Sequence, residues 1–464
     1  MRTSGRALTD EGKPMFPEEK RKPKRKVACM IGYCGAGYHG MQINPPNKTI
    51  EGDMFEAMVE AGAISKNNSN DLKKSGFMRA ARTDKGVHAA GNMISLKMII
   101  EDADIVDKIN EALPEQIRFW GYQRVNKAFD CRKMCSSRVY EYLMPTYSFL
   151  PPRLNSPLYK RVKEMQKKHS ETIRVDEEGE KFWVDLNKKI GDAGITQEQL
   201  DQISEAGREG IPLTIPLDIA SRKVKQLSLE ARQKFRVKQE TLETLRKMLK
   251  FYLGSHNFHN FTNGKVFRDP SAKRFMKNIT VSDPFVIGQT EWISIKIHGQ
   301  SFMLHQIRKM IGLASLILRT GCPIEKVREA FGPDKVNIPK APALGLLLER
   351  PVYDGYNEKL KSYGHEPLTF DGYTERMDTF KRKFIYSKIY EEEEKEHTFH
   401  GFFGFIDFFT GTEATNNGLP IFDFITSGEI KEEVVGERRK DRNEEVEKAA
   451  AGAAAAASEA SQTS

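Results

Sequence analysis

The chain has 464 residues, of which 39% are hydrophobic and 30% charged, with a mean hydropathy of −0.55. That is enough apolar material for two or three globular units, and too much for a chain disordered throughout. No run approaches the ~20 apolar residues that span a bilayer, and Met1–Lys26 lacks the apolar segment of a secretory signal, so no membrane role is expected. A net charge of +9 and a pI of about 9.0 point to a polyanionic partner. The five cysteines, Cys29, Cys34, Cys131, Cys135 and Cys322, are odd in number and read as reduced thiols of an intracellular compartment. Cys131 and Cys135 invite reading as half a zinc site, but no tight Cys-x-x-Cys pair accompanies them, and no metal is expected.

In chain order, Lys20–Lys26 is a basic cluster that closes a disordered leader (1–26) and reads as a nuclear import signal or an RNA-binding arm. Val27–Tyr33 predicts a buried strand. Gly35-Ala36-Gly37-Tyr38-His39-Gly40 then matches G-x-G-x-x-G, but a dinucleotide site needs a helix opening on those glycines. Pro45-Pro46 block that helix, so a nucleotide-dependent dehydrogenase is rejected. Helical spacing begins at Thr49, a suitable N-cap, and runs to Ala63 with Ile50, Met54, Ala57, Met58 and Ala61 on one face.

The stretch Arg79–Gly91 follows. Asp84 stands between Arg82 and Lys85, which favour its ionised form and can themselves bind phosphate. Gly86 permits a sharp turn, and Met93–Ile99 predicts a strand behind it. A carboxylate on a tight loop before a buried strand is well placed for chemistry. A helix over Asp102–Leu113, stopped by Pro114, and strands over Ile117–Tyr122 and Arg138–Met144 complete an α+β half, residues 27–150.

Residues 151–239 show no clean period and read as a charged insertion, partly helical and partly mobile. A second half, 240–356, opens with a helix over Glu240–Leu253. The histidines of His256-Asn257-Phe258-His259 read as packing groups, since no acidic third ligand accompanies them. A strand over Trp292–His298 leads to a helix over Leu304–Leu318, with Ile307, Met310, Ile311, Ala314 and Ile317 on the core stripe. His305, Arg308 and Lys309 fall off that stripe near the positive helix end, which favours a nearby anion, either Asp84 or an RNA phosphate. Ala341–Arg350 predicts a closing strand. A C-terminal extension (357–430), with an acidic run and a Phe-rich stretch, precedes a disordered tail (431–464).

Several of these segments, in order, resemble the TruA family of tRNA pseudouridine synthases, and within it the eukaryotic synthase 1 branch. They are Tyr38-His39-Gly40-Met41-Gln42, the loop Ala81–Ala89, Arg138-x-Tyr140-x-Tyr142, His256-x-Phe258-x-x-Phe261, Gly299-x-Ser301-Phe302-x-x-His305-x-x-Arg308, and Ala341-Pro342-x-x-Gly345-Leu346-x-Leu348. The resemblance covers about half the chain. It implies the pseudouridine-synthase fold: two ferredoxin-like α/β halves forming one continuous, mainly antiparallel sheet flanked by helices. It implies Asp84 as the catalytic residue, Arg308 as the cation that pairs with it, Tyr140 as the ring that stacks on the base, and Leu346 in the uridine pocket. Arg82 then supports the site, and Lys85, Arg132, His305 and Lys309 contact RNA. The implied substrate is tRNA, in the anticodon-stem region, with snRNA and mRNA as further targets. Isomerisation consumes no nucleotide and no redox group, so no cofactor is expected; a monomer in the nucleus, with a possible mitochondrial form, completes the expectation. His88 stands where the branch often has Ser and suggests altered RNA contacts. The alternative is a non-catalytic RNA-binding or coactivator scaffold on the same fold.

Overall fold

Val27 to Tyr33 are all buried, as an apolar run with no exposed face requires, and form most of strand β1 (Arg25–Tyr33). The computed structural model describes residues 22–409 and 421–431. The start of the basic cluster, the end of the Phe-rich stretch and the tail beyond Lys431 lie outside these residues. Ten strands are present among them: β2 (Met78–Arg79), β3 (His88–Met98), β4 (Ile117–Arg124), β5 (Ser137–Pro145), β6 (Gly254–Asn257), β7 (Lys273–Val281), β8 (Phe285–Ile287), β9 (Thr290–Gly299) and β10 (Leu346–Val352) join β1.

The chain forms two compact units. The first comprises residues 22–145, 274–302 and 341–402, and the second 146–273, 303–340, 403–409 and 421–431. In the first, the strands run β4-β1-β3-β10-β5-β9-β7, with β2 on β3 and β8 on β9. The β3–β10 pair is parallel, while β1–β3, β1–β4, β5–β10 and β5–β9 are antiparallel. This is the mainly antiparallel, helix-flanked sheet that the sequence led us to expect. One face carries the helix Ile50–Glu60, whose first turn is closed by the Thr49 hydroxyl accepting from Gly52 N (3.3 Å). Its residues Ile50, Met54 and Met58 share a core with Val27, Cys29, Ile31, Leu96 and Leu348. The helix expected over Asp102–Leu113 is shorter, Ile105–Ala112.

The C-terminal extension covers the opposite face. Phe380 meets Trp120 edge-on at 5.4 Å, and Tyr390 and Phe399 do the same to Trp292. A Cβ at Gly91 would lie 2.9 Å from Glu349 O and 3.0 Å from both Met377 and Phe370, so only glycine lets this layer settle on β3. The acidic run is thus part of the helix Ser387–Glu396, with Ile389 and Glu393 buried.

The second unit contains the stretch read as a charged, partly helical insertion. Residues 151–239 form four helices, Pro157–Lys168, Glu177–Asp192, Gln197–Glu209 and Ile215–Lys234. The apolar stripes are narrow (Trp183, Leu186 and Ile190 carry the second helix), and charged residues fill the rest, which hid the period. Gln197–Glu209 opens with a reciprocal capping box between Thr196 and Gln199. The Phe-rich stretch is also helical, Thr398–Phe408, and its Asp407 carboxylate meets the Arg319 guanidinium at 2.5 Å inside the unit. Among the described residues no helix is long and apolar enough to cross a membrane.

Candidate active site

Asp84 opens a tight turn. Its carbonyl accepts from Val87 N (3.1 Å), and Gly86, at the third position, has φ +75°. A type II turn requires that sign of φ there, which a side chain would penalise. Arg82, Asp84 and Lys85 are exposed, while Ala81, Thr83 and Val87 are buried, so the loop alternates between anchor and display.

The anchors come from distant parts of the chain. Met41 N donates to Thr83 O (3.1 Å) and Gly86 N to Tyr38 O (3.2 Å). A Cβ at Gly40 would sit 2.8 Å from Thr83 O, and one at Gly35 would sit 2.3 Å from Val87 O. The glycine run that imitates a nucleotide fingerprint therefore serves the approach of this loop. Fully buried Asn92 donates to Ala81 O and to the Tyr33 hydroxyl, both at 3.1 Å. The Tyr33 proton is then free to reach Thr83 Oγ1 at 2.9 Å, next to Asp84. Burial raises the Tyr33 phenol well above its ordinary value, which keeps it a donor.

Glu51 and Arg79 pair at the base of the loop, and Glu51 also accepts from Ile43 N (2.8 Å). Burial raises the Glu51 carboxyl, against the N–H of Ile43 and the charges of Arg79 and Arg82. Arg138 Nη2 donates to Ala80 O (3.0 Å), tying β5 to the start of the loop. His88 corrects an expectation. It is buried, its Nδ1 accepts from Gly35 N (3.1 Å), and burial, with the Lys388 charge second, lowers its pKa to about 4. It is a neutral backbone anchor, not a changed RNA contact.

The sheet brings the next residues together. Tyr140 on β5 faces Leu348 on β10, which in turn faces Ala89 on β3, just beyond the loop. Tyr140 is half-buried and meets Phe302 edge-on at 5.1 Å. Burial raises its phenol; the Arg138 charge opposes this, and Cys135 and then Asp84 add to it. Leu346, half-buried, starts β10 opposite Tyr142. Arg132 is exposed in the loop before β5, its N–H bonded to Asp130 at 2.9 Å.

His305, Arg308 and Lys309 belong to the second unit. The helix there is Gln306–Thr320, and His305, at its N-cap, takes a left-handed φ of +63°. Arg308 is half-exposed. Lys309 is a correction: it is buried, and its ammonium donates to Asn260 O (3.4 Å) and Thr262 O (3.2 Å). Burial first, then the charges of Lys335 and Lys340, lower its pKa to about 8. It holds a turn and does not present a cation to RNA. His256 stacks on Phe331 at 4.3 Å, and His259 is buried beside it in the chain. Cys131 is buried and Cys135 Sγ donates to Ser137 O (3.2 Å).

A displayed carboxylate between two cations, on a loop leading into the strand whose Ala89 faces Leu348 and, across it, Tyr140, is compatible with work on a flat base carried by a phosphate backbone. Such an arrangement is of the kind used by enzymes that modify bases of nucleic acids. Comparison with known proteins is specific. A family model described as tRNA pseudouridine synthase matches residues 248–354. The tRNA pseudouridine synthase 1 of Yarrowia lipolytica is 51% identical over 453 residues, 94% of this chain and 83% of the relative. That of Saccharomyces cerevisiae is 52% identical over 440 residues, 91% and 80% respectively. The tRNA pseudouridine(27/28) synthase of Saccharomyces cerevisiae is 42% identical over 375 residues, 80% of this chain and 96% of the relative. The chain belongs to the TruA family of tRNA pseudouridine synthases, an isomerase family.

Proposed function

We propose that this protein isomerises uridine to pseudouridine in tRNA, with Asp84 as the catalytic carboxylate. The N1–C1′ bond breaks, the base turns, and C5 joins C1′; C5 gives up a proton and N1 gains one, so the reaction balances without a co-reactant. Asp84 acts at the sugar, as nucleophile or base. The observation that carries this is the turn itself: a carboxylate displayed on a loop fastened from β1, β3 and β5. Tyr140 stacks on the extruded base and Leu346 lines its pocket, while Arg82, Lys85, Arg132 and His305 meet phosphates. The role of Arg308 as the cation paired with Asp84 comes from the family resemblance. Uridines in the anticodon-stem region are the proposed targets in tRNA, supported by the name of the 27/28 relative. Activity on snRNA and mRNA, action as a monomer and residence in the nucleus or mitochondria extend the same reading.

The test is Asp84→Asn with purified protein and unmodified tRNA. Pseudouridine formation should vanish while the tRNA dissociation constant stays within about threefold. Product at the wild-type rate rejects Asp84, and tight binding by wild type without product favours a scaffold.

A further inference from the structure

We propose that Lys381, in the C-terminal extension, is a positioning residue for this site, clamping β5 and β10 from behind Tyr140 and Leu348; the inference rests on the synthase reading above. Neighbouring residues of a strand point to opposite faces. Tyr140 packs toward the face that carries Leu348, so Glu141 points to the other. Glu349 follows Leu348 at a β-bulge, where the register with β5 slips by one, and its carboxylate lies on the same side as that of Glu141. Bulges re-aim side chains in this way.

Lys381 spans the two carboxylates. Its ammonium lies 2.9 Å from each Glu349 oxygen and 3.4 Å from Glu141 Oε2, and these three side chains are at most 10% exposed; the half-exposed Asp378 carboxylate, three residues earlier in the chain, also lies 3.4 Å away. Tyr386 donates to Glu141 (2.9 Å to either oxygen), and the Ser294 hydroxyl on β9 donates to Glu141 Oε1. Half-exposed Lys296 stands 3.7 Å from Glu349. Burial works to raise Glu141, but Lys381, Ser294, Lys296 and Tyr386 outweigh it and hold the carboxyl below its ordinary value.

The local backbone is shaped for the task. Lys381–Tyr386 is a π-helical stretch between the helices Thr374–Phe380 and Ser387–Glu396. Its i→i+5 repeat brings residues five apart to one side, and the Lys381 ammonium lies 5.6 Å from the Tyr386 ring centre. An α-helix would turn one of the two away from Glu141. Buried ion pairs seldom add net stability over apolar replacements of equal volume, so stability alone is a weak reason for this cluster. It does fix the spacing of two strands at the positions flanking Tyr140 and Leu348.

The test compares Lys381→Met, Lys381→Arg and a triple variant, E141Q/E349Q/K381M, that neutralises the three buried charges and leaves the more exposed Lys296 and Asp378. Folded Lys381→Met should lose about 100-fold in single-turnover rate, the scale of a ~1 Å misplacement, with KM for tRNA within twofold. Lys381→Arg should restore most of the rate. The triple variant removes the uncompensated charges and should regain thermal stability without regaining the rate. A rate within threefold of wild type, a raised KM at unchanged rate, or a triple variant with full rate would each overturn the proposal. A readout independent of turnover is the ¹⁹F resonance of fluorotyrosine at position 140, assigned with Tyr140→Phe. It should shift in Lys381→Met and return in Lys381→Arg; an unmoved resonance overturns the clamp even if the wild-type protein proves inactive on tRNA. Should Lys381→Met not fold, Tyr386→Phe replaces it, and an unchanged rate together with an unmoved resonance would overturn the proposal equally.

Discussion

Removing one oxygen from the protein, by Tyr33→Phe, isolates what fastens the Asp84 loop. The ring stays and leaves no cavity, while two hydrogen bonds go: Asn92 to the hydroxyl at 3.1 Å and the hydroxyl to Thr83 at 2.9 Å. Each neutral bond contributes a net ~0.5–1.5 kcal/mol. Asn92 is fully buried but keeps its bond to Ala81 O, and Thr83 is slightly exposed and can find water, so the loss should be about 1–2 kcal/mol. Urea unfolding monitored by circular dichroism measures this. The functional effect should exceed the thermodynamic one, because Thr83 adjoins the carboxylate and sub-ångström drift matters in a near-attack geometry. Single-turnover pseudouridine formation should fall about 10- to 100-fold, with tRNA affinity unchanged. Thr83→Val should give a similar rate, since it breaks the same link from the other end. A Tyr33→Phe protein of wild-type stability and wild-type rate would refute the view that this chain of hydrogen bonds sets the loop.

Two further outcomes follow from buried titratable groups. His88 has a folded pKa of about 4 against ~6.5 unfolded, so between those values the unfolded chain binds a proton that the folded one refuses. Stability should fall as pH drops from about 6.5 to 4, by up to ~3 kcal/mol from this group. His88→Asn should remove most of that acid sensitivity in urea titrations at pH 7.5 and 4.5, and an equal acid loss in both proteins would show that His88 is not held neutral. In the second unit, Asp407→Asn leaves the Arg319 guanidinium buried without its carboxylate, and Arg153 N loses an acceptor at 3.1 Å. A loss of ~3–5 kcal/mol is expected in thermal unfolding, and less than 1 kcal/mol would argue against the pair.

The elements built from local signals were legible in the sequence. β1 announced itself by an unbroken apolar run, the helix Ile50–Glu60 by its cap and period, and the Asp84 turn by Gly86. What was not legible depends on contacts across long chain separations. Asn92, Tyr33 and Thr83 carry no pattern that marks them as partners, since their link is made only when β1 pairs with β3. Lys309 misled because helical spacing places a side chain around its own axis but says nothing of the carbonyls of Asn260 and Thr262 that await it. The part the extension plays in the core was not legible because its acidic run resembles a solvated surface. Its buried residues, Phe380, Lys381 and Phe399, are scattered among charges. The glycine run presented a familiar pattern that Pro45-Pro46 already ruled out as a nucleotide site, but its purpose, close backbone approach, was not legible.

The placement of β10 between β3 and β5 bears on how the chain is made. Both neighbours leave the ribosome roughly 200–250 residues before their shared partner does. At about 5–20 residues per second, two bare hydrogen-bonding rims would stand open for some 10–50 s of synthesis. Pairing across so long an interval is intrinsically slow, and such rims invite association with other nascent chains. Newborn copies should therefore depend on chaperones until Leu346–Val352 has emerged and slotted home.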